Sequence, residues 1–402
     1  MELANKFEQL PSNMTFGLEL EFTGGLTYEE TDRGIKRLIE LGLIREGWEV
    51  HSDSSVVDDL GKGAEIVSPP ICDDEQTKRE LEIITEFIKT NGGVMGDKVG
   101  GHIHFGLQAL GNDIEVIKNF FKLYSIFEPL LFKLSTGDLD HIRPGVRQYA
   151  IPMQKMLIDI IDNPNINNIT ELISILDTNI GTNASHYGPY RYYGLNFQRV
   201  SDARRNMPTN MNVTDFLNRI FSGEKIVIKD DKGNEKTLSP TIEMRFRNGS
   251  SDPDEILAGA RMLGGLFVKA HDKERMKEPD IKNLYRHMKK TRKKHVFDKV
   301  IEVYRQRYPN LSEEEILDRV FKESEYGDEN IDYNTFKSLV NILSPKTEEK
   351  DIKSMKDYFQ NKFKKVKVFA KQTTIEALRA IRDSLASFST SNEIEENRRM
   401  VA

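Results

Sequence analysis

Four short segments of this chain share one pattern, and it restricts the fold more than any other feature. In "TFGLELEF" (15–22), Phe16, Leu18, Leu20 and Phe22 alternate with Gly17, Glu19 and Glu21. "GAEIVS" (63–68), "GGHIHFGL" (100–107) and "TIEMRFRN" (241–248) repeat the plan. Successive strand side chains point to opposite faces, so each segment reads as a strand with one apolar and one ionisable face. Glu65, then His102 with His104, then Glu243 with Arg245 and Arg247, fall on that second face. An antiparallel sheet with one wet face is the ordinary reading of such strands. Here, though, the wet face carries carboxylates and imidazoles beside glycines. Clustered carboxylates repel, so the face needs protons, basic partners or a bound cation. Carboxylates with one or two imidazoles suit Mg²⁺ or Mn²⁺ better than zinc, and such hard ions commonly accompany phosphates. Arg245 and Arg247 would then meet phosphoryl oxygens or a developing anion.

Between these strands the periodicity turns helical. "TYEETDRGIKRLIELG" opens on a capping box of Thr27 and Glu30 and closes at Gly42. Residues 75–90 read as a helix. Asn112 with Glu115 predicts another box, opening a long helix whose buried stripe is Ile117, Phe120, Phe121, Tyr124, Phe127 and Leu131. A helix over 153–178 is broken at "DNPN", "YRYYGLNFQ" reads as a strand, and "EKIVIKDDKGNEKTLS" as a hairpin. In "SDPDEILAGARMLGGLFVKA", Asp252 is the expected cap, Pro253 the first residue and Glu255 the closing member of a box.

Charge divides the chain. Residues 271–402 hold 29 Lys+Arg against 24 Asp+Glu, and the preceding residues 29 against 40, for a net −6. Two domains are therefore expected: 1–270, acidic and suited to gathering cations, and 271–402, helical and mildly basic. The basic runs "HMKKTRKKH" and "NKFKKVKV" make nucleic acid an alternative partner, but interrupting acidic runs favour a solvated helix face. The single cysteine, Cys72, fits a reducing cytoplasm, and neither a secretory signal nor a membrane span is expected.

"FGLELEF", "WEVHSDSSV" followed by "GAEIVSPP", "GGHIHFGL", "YRYYGLNF" and "TIEMRFRNGS" occur in the order seen in the putative amidoligase family. That family resembles the glutamine synthetase and glutamate–cysteine ligase superfamily. The resemblance spans roughly 15–270. It implies an α+β fold, a curved antiparallel sheet of glutamine synthetase-like type with helices on its convex face, followed by the helical C-terminal module. It also implies ATP and Mg²⁺ in the concave face, with Glu19, Glu21, Glu65, His102 and Glu243 on metal and His104 structural or a further ligand. Arg245 would contact the transferred phosphoryl, Asp53 of the Asp-x-Ser motif would bind substrate or amine, and Tyr192 and Asn196 would line the nucleotide cleft. The implied activity is ATP-dependent carboxylate–amine ligation through an acyl phosphate. The alternatives are a non-catalytic nucleotide-binding protein and a phosphotransferase to an amine or guanidine. No counterpart of the flap and amine-binding elements of glutamine synthetase is present, which argues against plain glutamine synthesis and leaves both substrates, and the oligomeric state, open.

Overall fold

The computed structural model describes residues 2–96, 98–136, 150, 152–176, 193–229, 235–238, 240–292, 305–312, 315–316, 319 and 331–372. The chain forms two compact units, Met1–Lys356 and Asp357–Ala402. In the second, residues 357–372 are helical. The sheet and its helices belong to the first.

The alternating segments become strands β1 (Phe16–Thr23), β3 (Gly63–Val67), β4 (Gly101–Gly106) and β8 (Thr241–Met244). With β2 (Glu49–His51) and β5 (Leu195–Asn196) they make a six-stranded sheet in the order β2-β3-β1-β4-β8-β5. Every pairing in it is antiparallel. A separate hairpin joins β6 (Ile226–Lys229) to β7 (Glu235–Leu238), as the sequence predicts. The fold is mixed α/β around an open antiparallel sheet.

One face of the sheet is dry. Long helices α3 (Ile114–Thr136) and α7 (Pro253–Ala270) cover it, and the expected α3 stripe is fully buried. Phe105 of β4 lies 4.7 Å, centroid to centroid, from Phe267 of α7, which is 4.2 Å from Phe120 of α3. Phe132 stacks on Phe246 at 4.7 Å. Such aromatic contacts add to area burial and fix the helices over the sheet.

Local signals set the helix ends. α1 (Tyr28–Glu40) begins on the complete Thr27–Glu30 box, and Gly42 follows with φ +67°. α2 (Glu75–Thr90) is capped by Asp74, which accepts from Thr77 N–H. Two caps differ from expectation. The Glu115 N–H donates to Asp113 Oδ1 at 2.9 Å rather than to Asn112. Asp252 caps α7 as predicted, but the Glu255 carboxylate accepts from the Ser250 hydroxyl. The helix broken at "DNPN" appears as α4 (Gln154–Ile161) and a segment over 169–176. The first unit also contains α5 (Gln198–Arg205), α6 (Val213–Phe221), α8 (Pro279–Arg292) and α9 (Tyr333–Leu343). Asp332 caps α9, its side chain accepting from Thr335 N–H. Among the described residues no helix is long and apolar enough to cross a membrane.

Candidate active site

Register brings the ionisable residues of five strands onto the open face. Glu19 pairs with His102 across β1 and β4, Glu21 with Glu65 across β1 and β3, and His104 with Glu243 across β4 and β8. Asn196 of β5 stands opposite Glu243, and His51 of β2 opposite Glu65. Alternation within strands and pairing between them therefore concentrate four glutamates and two histidines at the centre of the sheet.

Glu19 is the hub. Its Oε2 accepts from His102 Nδ1 at 2.8 Å. Its Oε1 lies 2.7 Å from His104 Nε2 and 3.2 Å from Arg199 Nη2. His104 Nδ1 is 3.0 Å from Thr241 Oγ1. Glu243 accepts from Asn196 Nδ2 at 2.7 Å and from Arg245 Nη1, and its Oε1 is 3.3 Å from His102 Nδ1. Glu21 accepts from the Gly100 N–H and sits 3.5 Å from His102 Nε2. All of Glu19, Glu21, His102, His104 and Glu243 are buried.

Their ligand atoms fall into two groups. Those of Glu19, His104 and Glu243 lie within 4.8 Å of one another, and so do those of Glu21, Asp53 and Glu65. His102 stands between them, touching Glu19, Glu21 and Glu243. The charge balance of the two groups differs. Burial works against ionisation of Glu19, but His104 and His102 outweigh it and hold its carboxyl well below the usual range. Glu65 moves the other way. Burial, then Glu19, Glu21, Asp53 and Glu243, push it up to about 8.

The donor set fits a hard divalent cation. The buried Nε2 atoms of His102 and His104 have no hydrogen-bond partner; the 2.7 Å contact of His104 with Glu19 is close but not aligned for one. A neutral imidazole donating from Nδ1 to a carboxylate, as His102 is placed to do toward Glu19, presents Nε2 as a lone pair, the arrangement found in metal-binding histidines. Carboxylate-rich groups with one imidazole suit Mg²⁺ or Mn²⁺.

The structure thus brings together Glu19, Glu21, Glu65, His102 and Glu243, with Asn196 and Arg245 beside them. Asp53, expected on substrate or amine, faces the Glu21–Glu65 group, its Oδ1 accepting from Ser55 N–H at 2.7 Å. His104, ambiguous in the sequence, has its ligand atom in the first group. Arg247 is not brought to this face. β8 ends at Met244, so the alternation that carried Arg247 to the open face stops before it. Its guanidinium instead donates to the Glu255 carbonyl of α7 at 3.1 Å and packs on Gly259. Burial lowers it to about 10. Tyr192 lies outside the described residues.

Two site residues escaped the sequence reading. Arg199 reaches Glu19 from the first turn of α5, but as one arginine in the polar run "QRVSDARR" it carries no periodic signal. His51, with Nδ1 3.6 Å from Glu65 Oε1, belongs to a three-residue strand too short to show alternation, although it sits in the "WEVHSDSSV" motif. Beside Glu19, His104 and Arg199 opens a cavity of about 460 Å³, which continues past Ser68, Gln108 and Thr241 to the connection after α6.

Residues 12–210 match the family model described as "Putative amidoligase enzyme". Over that stretch the chain is similar to the amidoligase family. The family's description is that of an enzyme making amide bonds. No curated protein matches the chain. The matched stretch carries β1 to β5 and with them Glu19, Glu21, Asp53, Glu65, both histidines, Asn196 and Arg199. Glu243 and Arg245 lie beyond it, yet β8 pairs with both β4 and β5, which completes the face.

Proposed function

We propose that this protein is an ATP-dependent carboxylate–amine ligase that uses Mg²⁺, replaceable by Mn²⁺, on a sheet of glutamine synthetase-like type. One observation carries the reading: two adjacent three-residue acidic groups on one sheet face, bridged by a buried histidine, in a chain similar to the amidoligase family. Glu19, His104 and Glu243 would hold one ion and Glu21, Asp53 and Glu65 another, with His102 offering Nε2 between them. Bound Mg²⁺ would neutralise phosphate oxygens during transfer.

The chain's own residues then position and polarise. Asn196 and Arg245 both donate to Glu243 and fix its carboxylate. Arg245, partly exposed at the rim, supplies a planar fork to the transferred phosphoryl. The acid's carboxylate oxygen attacks the γ-phosphorus of ATP and ADP leaves. The amine nitrogen then attacks the acyl carbon, phosphate departs, and the nitrogen loses its proton. Such chemistry asks for orientation and charge stabilisation rather than a protein nucleophile.

The test is Mg²⁺-dependent ADP release with pooled acids and hydroxylamine as a surrogate amine. Hydroxamate formed together with ADP supports an activated acyl group. Absence of nucleotide binding with any divalent ion refutes the reading.

A further inference from the structure

Thr241 opens β8, and the ligase reading leaves its hydroxyl without a role. It stands two residues from Glu243, so the period of a strand puts both side chains on the open face. In the β4–β8 register Glu243 lies opposite His104, and Thr241 opposite Gly106, which has no side chain to meet the hydroxyl. His104 is then the diagonal neighbour of Thr241, a separation that an aromatic ring can span. The ring does span it: His104 Nδ1 is 3.0 Å from Thr241 Oγ1.

This contact decides which nitrogen of His104 faces the acidic group. With Nδ1 turned to Thr241, Nε2 is the atom 2.7 Å from Glu19 Oε1, buried and without an aligned hydrogen-bond partner. A ligating nitrogen needs its lone pair, so the ring proton must sit on Nδ1 and find an acceptor there. A threonine hydroxyl both donates and accepts. It therefore suits the same ring pose whether Nε2 carries a proton toward Glu19 or offers its lone pair to an ion. His102 is placed differently. Its Nδ1 is 2.8 Å from Glu19 Oε2 and 3.3 Å from Glu243 Oε1, both on carboxylates proposed as ligands themselves. Thr241 is a neutral partner outside both ligand groups.

We infer that Thr241 is a positioning residue: its hydroxyl fixes His104 with Nε2 toward Glu19 and Glu243, and so makes this histidine the nitrogen ligand of the ion held there. The inference rests on the metal sites of the ligase reading.

Titration of the intact protein with Mn²⁺, the free ion followed by electron paramagnetic resonance, tests it. Thr241→Val keeps the shape and removes the hydroxyl, whereas Thr241→Ser keeps the hydroxyl and removes the methyl. The valine variant should weaken one step of Mn²⁺ binding about tenfold or more, the usual scale for losing the partner of a metal-binding histidine. The serine variant should stay within about threefold of the parent, by the same reasoning. In a His104→Gln background Thr241→Val should add less than about twofold, because the hydroxyl acts through the ring. Unchanged Mn²⁺ affinity in Thr241→Val would overturn the inference. Equal weakening in Thr241→Ser, or full additivity with His104→Gln, would overturn it as well. The ligase reading fails on a separate result, a non-hydrolysable ATP analogue that does not bind with Mn²⁺ present. Thr241-dependent Mn²⁺ binding would then uphold the positioning role alone, while absence of Mn²⁺ binding in the parent protein would refute both.

Discussion

At Glu65 the site states its own requirement. The folded protein keeps a proton there up to about pH 8, whereas an unfolded chain releases it near 4.5. Between those values the folded state binds more protons, so stability falls as pH rises. Urea unfolding of metal-free protein should show this decline, and Glu65→Gln should flatten it. Glu19 acts oppositely: its depressed carboxyl contributes stability above the usual value and loses it as pH falls. The two arginines near β8 also separate at this scale. Arg247→Ala removes a buried cation bonded to the Glu255 carbonyl and should cost roughly 2–4 kcal/mol in urea unfolding. It should leave nucleotide affinity in place. Arg245→Lys should do the reverse, sparing stability and lowering turnover, because a point charge does not replace a planar fork.

Among the elements, legibility followed periodicity. Strands β1, β3 and β4 and helices α1 and α2 were readable because alternation or a cap marked each of them, and the site glutamates and histidines came with the strands. The position of Arg247 off the open face has the same origin as the position of Glu243 on it. Both rest on a period of two, and that period holds only while β8 stays paired, to Met244. Arg199 and His51 were illegible because contacts across the fold, rather than local pattern, bring them to the site. A backbone contact invisible in the sequence also fixes the loop after β1. Gly25 has φ +73°, and a Cβ there would stand 2.5 Å from the Gly93 nitrogen at the end of α2. Gly25→Ala should therefore lower stability by about 2 kcal/mol or more, measured by thermal unfolding. Thr27→Ala, which removes only the cap of α1, should cost about 1 kcal/mol.

For the whole first unit, a cation bound as proposed would also be a fastener. The ligands proposed for one ion come from β1, β4 and β8, and those for the other from β1, β3 and Asp53, so binding would add links between strands already joined by backbone ladders and by side-chain bonds such as Glu19–His102. Mass action gives about 2.7 kcal/mol when free ion is a hundredfold above its Kd. Excess Mg²⁺ should raise the unfolding temperature and a chelator lower it, followed through Trp48, the chain's one tryptophan, which is buried and donates to Glu80. The margins of the sheet matter to the same balance. β2 has three residues and β5 two, while β1 has eight. Such short margins leave a neighbouring molecule little backbone to add to. The molecule is thus guarded against aggregation from its rim and exposed to it from its middle. Separation of β1 from β3 or from β4 would uncover a long sticky template, and across β1 and β3 the repelling pair Glu21 and Glu65 is one that a cation would quiet. Protein kept with Mg²⁺ should consequently stay clear of clumping longer in storage than protein kept with a chelator, as followed by light scattering.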